Sequence, residues 1–294
     1  MNIISPKADF CAKELFSHET IRKYFISDVT GIPLEQIRSV RIGNPYLSQW
    51  RRKQKQGIVD VLVELNNTAK VNIELQITFY SYWDRRNLFY LAKMYTDDLR
   101  AGEDYSRLKK SITISLLDFN LTDDPKYHSV YQLRDERGNR FTDLFEVHII
   151  ELQKTVSGTD PVDDWIRFFN AHSEEELDMI HTKNAGLQMA IEELKRMSLS
   201  GYMRARYEAH MKEVRDRNAR EHYIKTVGVE EGMEKGLKKG REEGREEGQI
   251  EGRVEEKEMR IRTMLLNHKT PEEIADFCGY DLQEIRAVQE QLFK

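Results

Sequence analysis

Two short runs, Gly57-Ile58-Val59-Asp60-Val61-Leu62-Val63 and Val71-Asn72-Ile73-Glu74-Leu75-Gln76, restrict the folds open to this chain more than any other segment. Each has apolar residues at every second position and reads as a strand with one buried face. Val59, Val61, Val63 and Leu65 share one side, and Val71, Ile73, Leu75 and Ile77 supply the same side of the partner. Asp60, Glu74 and Gln76 share the other side. With Asn66 to Lys70 as the loop and Leu65 opposite Val71, Asp60 falls opposite Gln76. Glu74 then lies diagonal to Asp60 at roughly 7–8 Å. Two carboxylates so placed could share one divalent cation. A half-exposed hairpin with acids on its wet face has the same pattern, and the pattern alone favours that plainer reading.

A chain of 294 residues with 39% hydrophobic content can bury one good core and a second small one. The net charge of −5 argues against a chain that grips nucleic acid over its whole surface. Any nucleic-acid contact would then come from a local patch. Residues 38 to 56 hold Arg38, Arg41, Arg51, Arg52, Lys53 and Lys55 with no Asp or Glu, and lead directly into the Asp60 strand. A solvated basic loop and a phosphate-binding loop both fit that run, and its position beside Asp60 favours phosphate. Cys11 and Cys278 form no CxxC pair, and the histidines show neither HxH nor HExxH spacing, so neither a disulfide framework nor a zinc site is expected. With no signal peptide and no long apolar run, a soluble cytoplasmic protein without a membrane span is expected.

Helical periodicity runs from Ala8 to about Asp28 and ends at Gly31-Ile32-Pro33; a short helical piece follows at Leu34 to Ile37. After the hairpin, Leu88, Leu91, Ala92, Tyr95 and Leu99 make a helical stripe within Ser81 to Arg100. Ser111 to Leu117 is a buried strand, and Ser129 to Leu133 and Phe145 to Leu152 extend the sheet. From Asp163 onward the pattern is helical, with two helices between Gly186 and about Lys225. These segments divide the chain into a core at 1–155, a helical extension at 156–225, a charged glycine-repeat tail at 226–258 and a small helical module at 259–294.

In the tail, glycines recur at 228, 232, 236, 240, 244, 248 and 252 among Glu, Lys and Arg. Each costs a helix roughly 1 kcal/mol relative to alanine. At about 100° per residue, a four-residue step overshoots one turn by about 40°, so the seven wind about 240° around a straight helix. A marginal, charge-laced helix or flexible arm is expected in preference to a firm coiled coil, and oligomer contacts would come from this C-terminal helical region. Thr270-Pro271-Glu272-Glu273 then starts a helix with a cap, a proline at the first position and Glu three residues after the cap; Gly279 suits its end. Residues 270 to 294 hold six acidic side chains against Arg286 and Lys294. This charge opposes a DNA-reading helix-turn-helix.

An Asp on one strand followed by Glu-x-Lys on the next marks the PD-(D/E)XK nucleases. Val71-Asn72-Ile73-Glu74-Leu75-Gln76 resembles the Glu-x-Gln variant of the recombination-promoting nuclease/putative transposase family. The likeness extends to Asp9-Phe10-Cys11-Ala12-Lys13-Glu14-Leu15-Phe16, Arg85-Arg86-Asn87-Leu88-Phe89-Tyr90, Gly102-Glu103-Asp104-Tyr105, the Ser111 strand and Val147 to Lys154. Ala12, in place of an aromatic, and Gln153, in place of proline, depart from the family pattern. The resemblance implies an α/β fold with a restriction-endonuclease-like mixed sheet, built in the order helix, strand, strand, helix, strand, and an all-helical C-terminal extension. It also implies a Mg²⁺-dependent DNA endonuclease that promotes recombination or transposition, with Mn²⁺ as the other suitable ion. Asp60 and Glu74 would be the metal ligands, with the Leu75 carbonyl as a third. Gln76 would orient water, and Arg86, ahead of Lys93 or Lys13, would supply the cation that lysine gives in the wider class. Asp9 or Glu14 would complete the site, and Arg51, Arg52, Lys53 and Lys55 would contact DNA.

The rival reading is a nuclease-like fold that no longer cuts, and that binds DNA or assembles with itself through the tail. The neutral Gln76 keeps it open. No P-loop, dinucleotide-binding glycine turn or Gly-x-Ser-x-Gly elbow competes, and Asp123-Asp124 and Asp163-Asp164 are better explained as caps.

Overall fold

The structure, a computed structural model, describes residues 2–47, 57–58, 60–97 and 99–292. The chain divides into two compact units, Met1–Met211 and Lys212–Lys294. The first opens with α1 (Asp9–Leu15) and α2 (Glu19–Thr30). The sequence reads as one helix here; the structure breaks it at Phe16-Ser17-His18. Arg22 accounts for the break. Its Nη1 donates to the freed carbonyls of Phe16 and Ser17 at 2.7 and 2.6 Å, while Nε and Nη2 reach Val40 O at 3.0 and 2.9 Å. α2 stops where Gly31 adopts a left-handed φ of 71°, as expected from the glycine.

The strands follow as β1 (Val40–Ile42), β2 (Tyr46–Leu47), β3 (Gly57–Ile58), β4 (Val61–Leu65) and β5 (Ala69–Gln76). Next come α3 (Trp83–Thr96), β6 (Lys110–Leu117), β7 (His128–Gln132) and β8 (Phe145–Glu151). Six strands form one mixed sheet in the order β1-β4-β5-β6-β8-β7, parallel at β5/β6 and β6/β8 and antiparallel elsewhere; β2 and β3 pair as a separate ribbon. The expected order helix, strand, strand, helix, strand is present as α2, β4, β5, α3, β6.

Two details of the hairpin differ from the sequence reading. The first run is not one strand: β3 and β4 are separate, and Asp60 sits in a bend just before β4. The register is also tighter. Leu65 pairs with Ala69 and Val61 with Ile73, which brings Asp60 level with Glu74 instead of Gln76. The cause is the loop. Asn66 and Asn67 both take positive φ (53° and 59°), a conformation Asn tolerates, so the turn closes over three residues and releases Ala69 and Lys70 into β5.

The two faces of the sheet are unlike. Val63, Leu65, Val71, Ile73, Ile112, Ile114 and Ile150 lie in a large apolar core with Phe16, Phe25 and Ile26. That core takes in the helices that follow β8, namely α4 (Pro161–Asn170), α5 (Glu174–Asp178) and α6 (Ala185–Leu199), through Trp165, Phe169, Leu177 and Leu187. It therefore runs across the divide expected at residue 155. Trp165 stacks edge-on to Phe25 at 5.2 Å, and its Nε1 donates to Asp28 at 2.7 Å. The opposite face, under α3, mixes apolar Leu62, Tyr90, Leu91 and Met94 with a buried polar strip of Lys70, Asn72, Glu74, Ser111, Thr113 and Ser115.

The last helices are α7 (Gly201–Leu266), α8 (Pro271–Cys278) and α9 (Leu282–Leu292). α7 is one continuous helix through all seven repeat glycines, where a marginal helix or flexible arm was expected. Ion pairs of the i,i+4 type at Glu231/Lys235, Lys239/Glu243 and Glu256/Arg260 support it. Each is worth about 0.3–0.5 kcal/mol, against roughly 1 kcal/mol lost per glycine. In the second unit, Ile261 and Leu265 at the end of α7 pack with Ile274 of α8 and Ile285 and Val288 of α9. Thr270 and Glu273 form the expected capping box, and Gly279 ends α8 with a φ of 68°. Among the described residues, no helix is long and apolar enough to cross a membrane.

Candidate active site

The tight hairpin register and the bend before β4 bring Asp60 beside β5, where its Oδ2 accepts the Leu75 N–H at 3.3 Å. Glu74 belongs to the polar strip under α3 and is only 3% exposed; Asn72 and Gln76, on the same side of the strand, are 1% and 6% exposed. The acids are therefore not on a wet face. A solvated hairpin would leave them in water, whereas here α3 covers them. α3 also brings the counter-charge, with Arg86 Nη2 3.4 Å from Glu74 Oε1. The Arg86 guanidinium lies over the rings of Tyr80 and Tyr90, at 5.5 and 5.3 Å from their centroids.

The charges are unequally balanced. Burial and then the neighbouring Asp60 carboxylate push Glu74 up to about 7, and Arg86 offsets only part of this. Asp60 is raised by burial and by the charge of Asp9, with Lys13, the Leu75 N–H and Arg86 acting the other way. Burial works against the Arg86 charge, but Glu74 and hydrogen bonds with Tyr80 and Tyr90 outweigh it and raise its pKa. The site thus holds the buried Glu74 carboxylate, the half-buried Asp60 carboxylate that repels it, and one guanidinium that does not neutralise them both. Hard oxygen donors with surplus negative charge suit a divalent cation of the Mg²⁺ or Mn²⁺ type.

The other residues singled out from the sequence are placed as follows. Asp9 and Lys13 pair with each other on α1 at 2.9 Å, and both act electrostatically on Asp60. Glu14 lies in a different group, with His18 and Glu193. Arg196 takes both Glu193 oxygens, so that group already has a cation and does not compete as a metal centre. Gln76 Nε2 donates to Thr78 O at 2.8 Å. Lys93 sits two turns beyond Arg86 on α3. Arg38 and Arg41 are exposed; Arg51, Arg52, Lys53 and Lys55 lie outside the described residues.

Sequence reasoning missed the groups that hold Arg86 and α3 in place. Tyr90 is four residues from Arg86 on α3, a spacing that could have identified it. Tyr80 and the Asn87 Nδ2 to Ser115 Oγ bond of 2.8 Å depend on tertiary placement and had no local signal.

The family model described as PD-(D/E)XK nuclease family transposase matches residues 6–223. The matched span takes in the whole six-stranded sheet and stops before the first glycine of the repeat. No curated protein and no solved structure matches the chain.

Proposed function

We infer, from the premise that the chain belongs to the PD-(D/E)XK nuclease family transposases, that it is a divalent-metal-dependent DNA endonuclease whose cuts promote recombination or transposition. The observation that carries this reading is the burial of Glu74 against Asp60, with a carboxyl pushed up to about 7. A strongly perturbed carboxyl beside a second acid is a marker of working sites.

Asp60 and Glu74 would hold Mg²⁺ or Mn²⁺, with the Leu75 carbonyl as a third donor. Such an ion activates water and offsets the charge that builds on the phosphoryl oxygens during hydrolysis. Gln76 has its amide NH₂ committed to Thr78 O, which leaves its carbonyl oxygen to accept from and orient a water. Arg86 supplies the fixed positive charge that a third-position lysine gives elsewhere, and draws it from α3 instead of β5. Asp9 and Lys13 tune Asp60 from α1. The exposed Arg38 and Arg41 offer a basic approach for the DNA backbone, and Arg51, Arg52, Lys53 and Lys55 would add their charge to it. A cytoplasmic location and a homo-oligomer formed through the C-terminal helices complete the reading.

The neutral Gln76 favours one alternative, a nuclease-like fold without cleavage that binds DNA or self-assembles. Cleavage of supercoiled plasmid by the full chain, with Mg²⁺, Mn²⁺ or EDTA and beside Asp60→Ala, separates the two. Metal-dependent nicking that disappears in the variant establishes the endonuclease. Wild type and variant equally inert with every metal would reject it in favour of the non-cutting fold.

A further inference from the structure

The segment that leads from β5 into α3, residues 77 to 82, is exposed throughout. Four of its side chains are large and apolar or aromatic: Ile77, Phe79, Tyr80 and Tyr82 are 45%, 57%, 44% and 68% exposed. A run of this kind in water marks a contact surface. Tyr82 is also held in the left-handed region, with a φ of 67°. A bulky side chain rarely adopts that conformation, and such residues cluster at working sites. Tyr82 occupies the N-cap of α3 without a side-chain hydrogen bond to the helix, where Ser, Thr, Asp or Asn would serve the helix better. Its ring is there for something else.

The rings adjoin the candidate active site. Phe79 stands edge-on to Phe119, from the loop after β6, with centroids 5.5 Å apart. Tyr82 carries the guanidinium of the exposed Arg85 4.9 Å above its ring. Between Phe79 and Tyr82 in sequence, Tyr80 lies under Arg86, whose Nη2 reaches Glu74. Phe79 follows Glu74 by five residues, at most about 17 Å of extended chain. Residues 75 to 83 carry no acid, and two arginines follow Asp84.

We propose that Phe79 and Tyr82 stack the unpaired bases of a DNA strand beside the phosphate presented to Asp60 and Glu74, with Arg85 holding that strand's backbone. Flat aromatic faces with guanidinium groups next to them suit this ligand, because each base stacks on a ring while the cations meet the phosphates. Bases inside a duplex are already stacked on their neighbours, so only unpaired or extruded ones can use such rings. Resting on the nuclease reading, the inference gives the candidate site a substrate form, namely single-stranded or locally opened DNA in preference to intact duplex.

The test is fluorescence anisotropy with the full chain in EDTA, using three labelled probes of equal length: an oligothymidylate, an abasic strand with the same phosphates, and a blunt duplex. The oligothymidylate is expected to bind at least about tenfold more tightly than either of the others. Phe79→Ala and Tyr82→Gly should each weaken it at least about fivefold, the lower end for losing one stacked base. The dependence on salt, which the cations set, should stay unchanged, and Phe79→Trp should bind as wild type does. Both positions are exposed, and glycine suits the backbone at 82, so neither variant disturbs a core. Equal binding of the duplex or of the abasic strand, or ring variants that bind like wild type, would overturn the proposal. So would ring variants whose sedimentation changes without DNA, which would assign the rings to a protein contact. The assay reads binding and not cutting. A chain that nicks plasmid but ignores unpaired bases keeps the nuclease reading and loses this one; a chain that binds them without nicking keeps the stacking and loses the cutting.

Discussion

Replacing Glu74 with Gln should stabilise the metal-free protein, and only above the acid range. In the folded chain the Glu74 carboxyl is raised from its ordinary 4.5 to about 7. At about 1.4 kcal/mol for each tenfold change in the ionisation equilibrium, that rise corresponds to about 3 kcal/mol. A raised acid favours the folded state while it is protonated. Its contribution is therefore fully present below pH 4.5 and is lost as the pH climbs through 7. Gln at this position has nearly the same shape, carries no charge and also relieves Asp60. The ion pair with Arg86 is lost as well, but its attraction is already contained in the rise to about 7 and is not subtracted again. The expectation is a gain of about 3 kcal/mol at pH 8 in EDTA and under about 1 kcal/mol at pH 5. For a unit of this size the gain corresponds to a rise in Tm of about 6–12 °C. All three tryptophans, at positions 50, 83 and 165, fall in the first unit, so fluorescence-monitored melting reports on that unit alone. A Glu74→Gln protein less stable than wild type at pH 8, or equally shifted at both pH values, would refute the reasoning.

Two structural predictions accompany it. Gly186→Ala should cost about 2–3 kcal/mol in the same melt, because the new Cβ would collide with Tyr24 Cβ and come within 2.8 Å of Tyr24 Cγ, forcing α6 off α2. Arg22→Met should cost about 3 kcal/mol or more, since it leaves the carbonyls of Phe16, Ser17 and Val40 without their donor. Arg22→Lys should recover little of that loss in denaturant titrations, because one ammonium cannot span three separated acceptors.

The period-two pattern was enough to read the hairpin faces, since Val61, Val63, Val71 and Ile73 all lie in the main core. It could not set the register, which depends on two asparagines in positive φ. A five-residue loop and a three-residue loop leave the same alternation in the sequence. The break between α1 and α2 was hidden because the guanidinium that stabilises it also holds a strand 18 residues away. The most consequential feature, burial of Asn72, Glu74 and Gln76, left no trace in the hairpin itself. It is produced by α3, which covers that face of β5 and has Asn87 bonded to Ser115 across it. The caps at Thr270 and Gly279 were legible because capping is local chemistry.

The energetics of the site also bear on the choice between a cutting enzyme and a silent fold. A buried carboxylate beside a second, half-buried one is a standing cost to the metal-free protein, about 3 kcal/mol at Glu74 alone once the pH exceeds 7. The single substitution Glu74→Gln is expected to remove most of it. These acids take no part in the apolar core on the opposite face of the sheet. Arg86 cannot be their structural justification either, since one guanidinium offsets only part of the rise at Glu74 and leaves Asp60 raised as well. On the proposed reading, what such an arrangement would gain is affinity for a ligand that carries two positive charges, which would turn the repulsion into attraction on binding. The missing lysine at Gln76 is then a smaller departure than it first looks. The positive charge is present, fixed by two tyrosines and supplied from α3, while the two carboxylates that would hold a metal keep their unfavourable proximity.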